Sequence, residues 1–349
     1  MIGILLENLG TPASPHPCDV ARYLREFLMD SRVVDIPWLS RWILVNLIIT
    51  PFRAKKSAAA YQKIWTENGS PLLHISQKLT QKVQAQLGSE YKVVLGKRYG
   101  QPSISRAVMQ LKECEKIVVF PLFPQFAEAS TGSALAETRK QLAKHKISVP
   151  ISEIKNFYVD PGFIKAQAEL IQHKLTQYKI DHLLLSYHGL PVRQIEKSAQ
   201  CQSICDRKNA CPIISSHNQN CYRAQSYATT QALVKELKLK PAHYSTSFQS
   251  RLGRTPWIEP FTDAILPELI KQGVKNLAVV CPSFTADCLE TLEEIDIRAR
   301  EQWQSLGGEN FYHVPCVNDT LLWIDAVCKK IIAVAFAGTT FNGISKYAQ

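Results

Sequence analysis

The chain has 349 residues, 46% of them hydrophobic and 20% charged, a globular composition with room for two domains of ordinary size. Its formal charge of +11 favours anionic partners: acidic lipid, nucleic acid or an acidic small molecule. No long Lys/Arg block and no nucleic-acid motif accompanies that charge, so no nucleic-acid partner is expected.

The first residues, MIGILLENLG, lack the basic start and the apolar length of a signal peptide, so a cytoplasmic protein is expected. A strand is predicted over 2–9 and a helix over 20–29. Residues 36–49, IPWLSRWILVNLII, form the most apolar stretch. It is shorter than the roughly 20 residues of a membrane span and contains Arg41 and Asn46. Two readings stand: a core helix or, with Trp38 and Trp42, an apolar lip that dips into a membrane surface. Further along, strands are predicted over 91–96, 117–121, 149–154, 182–187, 242–246, 277–281 and 311–314. Helical patterns cover 70–87, 103–111, 133–144, 161–178, 288–304 and 320–335. This alternation predicts an α/β fold of parallel sheets wound on both sides. Eight strands fit two similar four-stranded halves, an N-terminal domain over 1–155 and a C-terminal domain over 156–319. The final segment, 320–349, is expected to pack back on the first half. No G-x-G-x-x-G follows a strand and no Walker sequence occurs, which removes the main support for a nucleotide-binding reading.

Two polar clusters stand at strand ends. The first is LLLSYHGLP, where a buried-strand pattern runs into Ser186, Tyr187 and His188 and then turns at Gly189. Ligands of open α/β sheets bind beyond the carboxyl ends of strands. A lone histidine there reads first as a strand cap; it is equally suited to hold a metal or accept a proton near neutral pH. The second cluster is CPSFTADCLETLEEID, residues 281–296. Its turn holds Ser283, Phe284 and Asp287, and its helix carries Glu290, Glu293, Glu294 and Asp296. Asp287 suits a helix N-cap, which accounts for one or two acids. Asp287, Glu290 and Glu294 also recur at helical spacing, so they are expected on one face. Carboxylates so placed repel unless a cation or shared protons relieve them.

On these and further motifs the chain resembles the ferrochelatases, which insert ferrous iron into a porphyrin at the last step of haem synthesis. The resemblance runs in order through GILLENLGTP, YLREFLMDSRVVDIP, KSAAAYQKIWTENGSPL, RYGQPSI, PLFPQFAEASTGSAL, LLSYHGLP, SFQSRLGRTPWIEPFTDAI and CPSFTADCLETLEEID. It implies two Rossmann-like chelatase domains with a porphyrin cleft between them. It implies that His188 and Glu290 flank the porphyrin centre as the iron-site pair, with Asp287 and Glu294 along an acidic path. Arg98 and Tyr99 match cleft residues, and Trp257 matches a pocket aromatic. Tyr61 and Ser70 match positions near the porphyrin edge, and Phe284 joins this substrate-binding set.

The chemistry asks for such groups. Free porphyrin carries two inner N–H protons that metal insertion must remove. A neutral imidazole can take a proton, and it also suits Fe²⁺, as carboxylates do. Whether His188 is base, ligand or both stays open, as does the face that iron enters. Cys288 follows the aspartate where animal members carry histidine. Leu9 stands where the coproporphyrin-using branch carries tyrosine, which favours protoporphyrin IX. A haem carrier would use the same cleft without needing the carboxylate row, and a chelatase for another metal is the nearest enzymatic rival.

Ten cysteines are present. Cys18, Cys114, Cys281, Cys316 and Cys328 are scattered among apolar neighbours and read as buried thiols. Cys201, Cys205, Cys211 and Cys221 crowd into a polar, turn-rich insertion within 198–222. Such a segment supplies little core, so a metal staple accounts for its order. Four thiolates suit a [2Fe–2S] cluster first and structural zinc second. Glu128 stands where animal enzymes place their remote cluster cysteine, so an internal cluster resembles that of some bacterial members. An iron–sulfur electron carrier would explain these cysteines but not a two-domain cleft.

Overall fold

The computed structural model describes residues 1–198, 211, 213–251, 253 and 255–336. In the first half, β1 (Ile2–Gly10), α1 (Pro17–Leu28), α2 (Trp38–Ile43), a π-helical stretch (Leu44–Ile49), α3 (Thr50–Ile64) and α4 (Pro71–Leu87) come first. Then follow β2 (Tyr91–Tyr99), α5 (Ile104–Gln110), β3 (Lys116–Pro121), a short π turn (Glu128–Gly132), α6 (Ser133–Lys144) and β4 (Ile151–Glu153). The second half starts with α7 (Pro161–Gln177), β5 (His182–His188), α8 (Val192–Ser198), α9 (Tyr222–Glu236), β6 (Tyr244–Gln249) and α10 (Thr262–Lys271). It continues with β7 (Asn276–Val280), a π-helical stretch (Glu290–Ala299), α11 (Arg300–Ser305), β8 (Asn310–Val314) and α12 (Leu321–Ala335).

Two four-stranded parallel sheets result, ordered β2-β1-β3-β4 and β6-β5-β7-β8. Each is flanked by helices, as the alternation of elements predicts. The central strands are apolar because both faces are covered: Ile4, Leu5 and Leu6 in β1, and Leu183, Leu184 and Leu185 in β5, are all buried. In each sheet the chain leaves its second-placed strand (β1 or β5) to one side and then crosses to the other. That reversal opens a crevice at the carboxyl ends of β1 and β3, and of β5 and β7. His188 ends β5, and the 281–289 turn follows β7, so both polar clusters stand at the second switch point.

β6 runs beyond the predicted 242–246 to Gln249 because Ser186, Tyr187 and His188 pair with Ser247, Phe248 and Gln249. The predicted 288–304 helix is mostly π-helical, over Glu290–Ala299. One core cluster contains Ile4 and Leu6 of the first sheet, Leu183 and Leu185 of the second, and Trp323 and Val327 of α12. Accordingly α12 packs on α4 and β3 but also on α7, spanning both halves. The halves are further joined by Thr285 donating to the Leu122 carbonyl at 3.0 Å and by the Lys63–Glu293 ion pair at 3.5 Å.

Residues 36–49 do not form a core helix. Trp38, Leu39, Leu47 and Ile48 are 62, 61, 56 and 52% exposed, and Phe52 in α3 is 78% exposed. Arg41 instead turns inward and donates to the Val34 and Ile36 carbonyls at 3.1 and 3.0 Å. The charge that interrupts the apolar run is thus used to anchor it. Among the described residues no helix is long and apolar enough to cross a membrane.

Candidate active site

His188 is held by its backbone on every side. Its N–H donates to Ser283 Oγ at 3.0 Å, and its carbonyl accepts from the Tyr222 hydroxyl at 2.8 Å. The next N–H, of Gly189, donates to the Gln249 carbonyl at 2.8 Å. The imidazole Nδ1 lies 2.6 Å from the Gly189 carbonyl oxygen. A carbonyl can only accept, so Nδ1 carries the hydrogen and, in the neutral ring, Nε2 keeps its lone pair. The ring is half-buried, with the Phe284 ring edge-on to it at 6.1 Å. Gly189 is required by close approach: a Cβ there would sit 2.7 Å from the Gln249 oxygen and 3.3 Å from Trp257 Cε3. Trp257 is placed over this turn by a short antiparallel bridge with Pro191.

Glu294 faces the same turn from the π-helix. Its carboxylate accepts from the Ser250 N–H at 2.8 Å and from the Ser250 hydroxyl. Burial pushes its carboxyl up, opposed by the Ser250 hydrogen bond and His188 and reinforced by Glu290. Glu290 is tied through its main chain, where Gln249 Nε2 donates to its carbonyl at 2.9 Å. Its charge is felt by Tyr61 and Tyr23 of the first half, whose phenols are pushed up by burial first and by Glu290 with other neighbours after. The Cys288 thiol is raised by burial first, then by the charge of Glu290 and a side-chain hydrogen bond to it. His188, Glu290 and Glu294 therefore share one electrostatic neighbourhood. Among the described residues no three His, Cys, Asp or Glu side chains converge on a ready-made metal cage.

Asp287 turns elsewhere. Its carboxylate accepts from the Thr291 hydroxyl at 3.0 Å, the Cys316 N–H at 3.2 Å and Asn318 Nδ2 at 2.7 Å. It does not cap its own helix, and it lies before the π-helix that carries Glu290 and Glu294. The expected common face thus holds for the two glutamates, with Asp287 directed to the 316–318 loop. Glu293, buried in the same stretch, is taken by Lys63 and Arg298.

The other expected binding residues lie in the first half. Tyr61 is buried with its ring edge-on to Tyr23 at 6.5 Å and Trp65 at 6.1 Å. Ser70, also buried, accepts from the Thr11 hydroxyl at 2.8 Å, joining the start of α4 to the turn after β1. Arg98 donates to Asp30 at 2.5 Å and to Ser133 Oγ at 2.7 Å. Tyr99 is 0% exposed, and its hydroxyl donates to Asp30 at 2.9 Å. It therefore presents no surface. Asp30, which no sequence pattern singled out, gathers Arg98, Tyr99 and Ser133. Burial works against its charge, but those hydrogen bonds and the Arg98 guanidinium hold its carboxyl below the usual range. Ser250, Gln249 and Tyr222 were missed for the same reason: each acts through a partner distant in sequence.

Of the five scattered cysteines expected to be buried, Cys114, Cys281, Cys316 and Cys328 are, but Cys18, in the first turn of the amphipathic α1, is exposed. Of the four clustered cysteines, Cys201 and Cys205 lie outside the described residues. Cys221 is buried directly before α9, and Cys211 Sγ receives Arg223 Nη1 at 2.9 Å. A guanidinium set against sulfur suits a thiolate.

A ferrochelatase family model matches residues 1–334. A ferrochelatase of Legionella pneumophila is 53% identical over 325 residues, covering 93% of this chain and 97% of that one. One from Coxiella burnetii is 50% identical over 330 residues, covering 94% and 92%. Among solved structures, the sirohydrochlorin chelatase SirB of Bacillus subtilis subspecies spizizenii in complex with cobalt aligns with a TM-score of 0.53 at 12% identity, over 97% of this chain and 96% of that one. SirB from Bacillus subtilis with Fe³⁺ aligns with a TM-score of 0.50 at 14% identity, over 96% of each chain. Those two likenesses establish the two-domain chelatase fold; the sequence matches establish more, and the chain belongs to the ferrochelatase family of metal-chelating lyases.

Proposed function

We propose that this ferrochelatase takes protoporphyrin IX and ferrous iron as its substrates and that His188 Nε2 receives protons from the porphyrin nitrogens. The observation that carries this reading is the 2.6 Å bond from His188 Nδ1 to the Gly189 carbonyl, which leaves Nε2 as the basic nitrogen. Two N–H protons leave the porphyrin as all four of its inner nitrogens bind the entering iron. A base on one side, and carboxylates near it for the cation, meet both needs. Glu290 and Glu294 are the carboxylates of this reading. Glu290 takes the metal-facing role, and Glu294, inclined by burial to hold a proton, serves transfer. Asp287, with three hydrogen bonds of its own, acts by fixing the 281–289 turn. Tyr61, Phe284 and Trp257 supply ring faces for a flat macrocycle; Ser70, Arg98 and Tyr99 shape its far edge. Leu9, next to last in β1, supports protoporphyrin over coproporphyrin. The domain division follows the sheets: residues 1–155 with the C-terminal helix, then 156–319 with the cysteine insertion at 198–222. The direct test mixes anaerobic protein with Fe²⁺ and protoporphyrin IX and follows the haem spectrum; formation at only the uncatalysed rate rejects the reading.

The four cysteines Cys201, Cys205, Cys211 and Cys221 are the ligand set for a [2Fe–2S] cluster, with structural zinc as the alternative. The fit rests on Arg223 against Cys211 and on the burial of Cys221, which suit an anionic sulfur site. A bound cluster would staple a segment poor in apolar residues. About two irons per chain and visible colour are expected in protein as isolated; a colourless zinc protein rejects the cluster.

Peripheral attachment to a membrane is the reading of the exposed lip at Trp38, Leu39, Leu47, Ile48 and Phe52. Its apolar face, on a chain of +11 formal charge, suits an anionic leaflet. An apolar dicarboxylate porphyrin would be met there.

A further inference from the structure

We propose that Tyr222 and Arg223, the two residues after Cys221, are positioning residues that couple the cysteine-bearing stretch to the His188 turn. Tyr222 is the first residue of α9, 5% exposed, and its hydroxyl donates to the His188 carbonyl at 2.8 Å. Arg223 is 6% exposed, and its guanidinium spans two segments. Nη1 reaches Cys211 Sγ at 2.9 Å, while Nε and Nη2 donate to the Glu259 carbonyl at 3.4 and 3.3 Å. Glu259 lies two residues beyond Trp257. The segment between them is stitched to the same turn, with Ile258 N–H donating to the Leu190 carbonyl at 3.0 Å and Val192 N–H to the Pro256 carbonyl at 2.9 Å. Successive helical residues point about 100° apart. Tyr222 and Arg223 therefore grip the 188–192 turn from two directions.

The consequence falls on the imidazole. The carbonyls of His188 and Gly189 belong to consecutive peptide units. A pull on the first tilts the peptide that leads to the second, which is the acceptor for Nδ1–H. Loss of that acceptor releases the tautomer that leaves Nε2 bare. One rigid guanidinium reaches both Cys211 Sγ and the Glu259 carbonyl, so a displacement of Cys211 shifts the group that holds Glu259 and, through it, the turn. The cysteine stretch is thereby wired to the tautomer of His188 without touching the porphyrin. The effect on turnover rests on the reading of His188 as the proton acceptor; the effect on its tautomer does not.

The test is nitrogen NMR of histidine-labelled full-length protein, with the His188 signals identified by their loss in His188→Ala. Wild type should show Nδ1 protonated and Nε2 bare. Tyr222→Phe keeps the ring and removes one hydrogen bond. It should shift the His188 signals toward a tautomer mixture and lower kcat about fivefold, one hydrogen bond's worth, with KM for porphyrin unchanged. Arg223→Lys and Cys211→Ser should move the same signals in the same direction. Unchanged His188 signals in Tyr222→Phe would overturn the role of Tyr222. Signals that move in Tyr222→Phe but in neither of the other two would overturn the link to the cysteines. A wild type that makes no haem would sink the function while leaving the tautomer comparison standing.

Discussion

The Nδ1 of His188 and the carbonyl oxygen of Gly189 stand 2.6 Å apart, so the imidazole is oriented by the peptide immediately after it. The arrangement works only while Gly189 stays pressed against β6, which its missing side chain permits. Gly189→Ala would place a methyl 2.7 Å from the Gln249 carbonyl oxygen, and the turn must shift. We expect stability to fall by about 1–3 kcal/mol and turnover by about ten- to a hundredfold, since a misplacement near 1 Å is costly. Urea unfolding and steady-state assays check both; wild-type turnover in this variant would detach the ring from the turn.

Two buried ionisable residues in the first sheet predict opposite dependences of stability on pH. Glu7 in β1 is 0% exposed, and burial pushes its carboxyl up to about 8. Lys97 in β2 is also 0% exposed, and burial brings its amine down to about 7. Its Nζ donates to Ser76 Oγ at 2.8 Å and to the Leu72 carbonyl at 3.3 Å, neutral acceptors both. For Glu7 the folded state binds the proton more tightly, so its contribution is full below pH 4.5 and is lost as pH rises through about 8. For Lys97 the folded state binds the proton less tightly, so stability is gained as pH rises from about 7 to 10.5. Each shift corresponds to something on the order of 5 kcal/mol across its window. Urea midpoints from pH 5 to 10 should show the first slope removed in Glu7→Gln and the second in Lys97→Met. Variants whose curves run parallel to wild type throughout would contradict both assignments.

The apolar lip gives a separate prediction. Replacing Trp38 and Leu47, both more than half exposed, by glutamine should leave the fold intact. Co-sedimentation with anionic vesicles should weaken about tenfold or more, from the apolar burial each side chain would lose. Haem formation from detergent-dispersed porphyrin should not change. Vesicle binding equal to wild type would remove the lip as the contact.

The placing of both polar clusters at strand ends is legible in the sequence. The apolar run ending at His188 and the acid-rich turn after a later strand mark a switch point, because parallel strands in a twice-wound sheet deliver their carboxyl ends to one crevice. What could not be read depends on long-range partners. Tyr99 looks like a cleft residue beside Arg98, but strand alternation and the pull of Asp30 bury it. The end of β6 is too polar to resemble a buried strand, and only pairing with Ser186, Tyr187 and His188 makes it one. Glu293 matches its acidic neighbours by type, yet Lys63 and Arg298 remove it from their company. The lip offered two readings because hydropathy reports how apolar a segment is, not which way it faces.

The central claim is that His188 accepts protons from a porphyrin into which this chain inserts iron. The most direct measurement compares wild type with His188→Ala in one anaerobic assay of Fe²⁺ and protoporphyrin IX, with porphyrin binding followed in parallel by fluorescence quenching. The account predicts haem formation by wild type, and a variant that still binds porphyrin but turns over about 10²–10⁴-fold more slowly. Haem at only the uncatalysed rate in wild type, or undiminished turnover in His188→Ala, would contradict it.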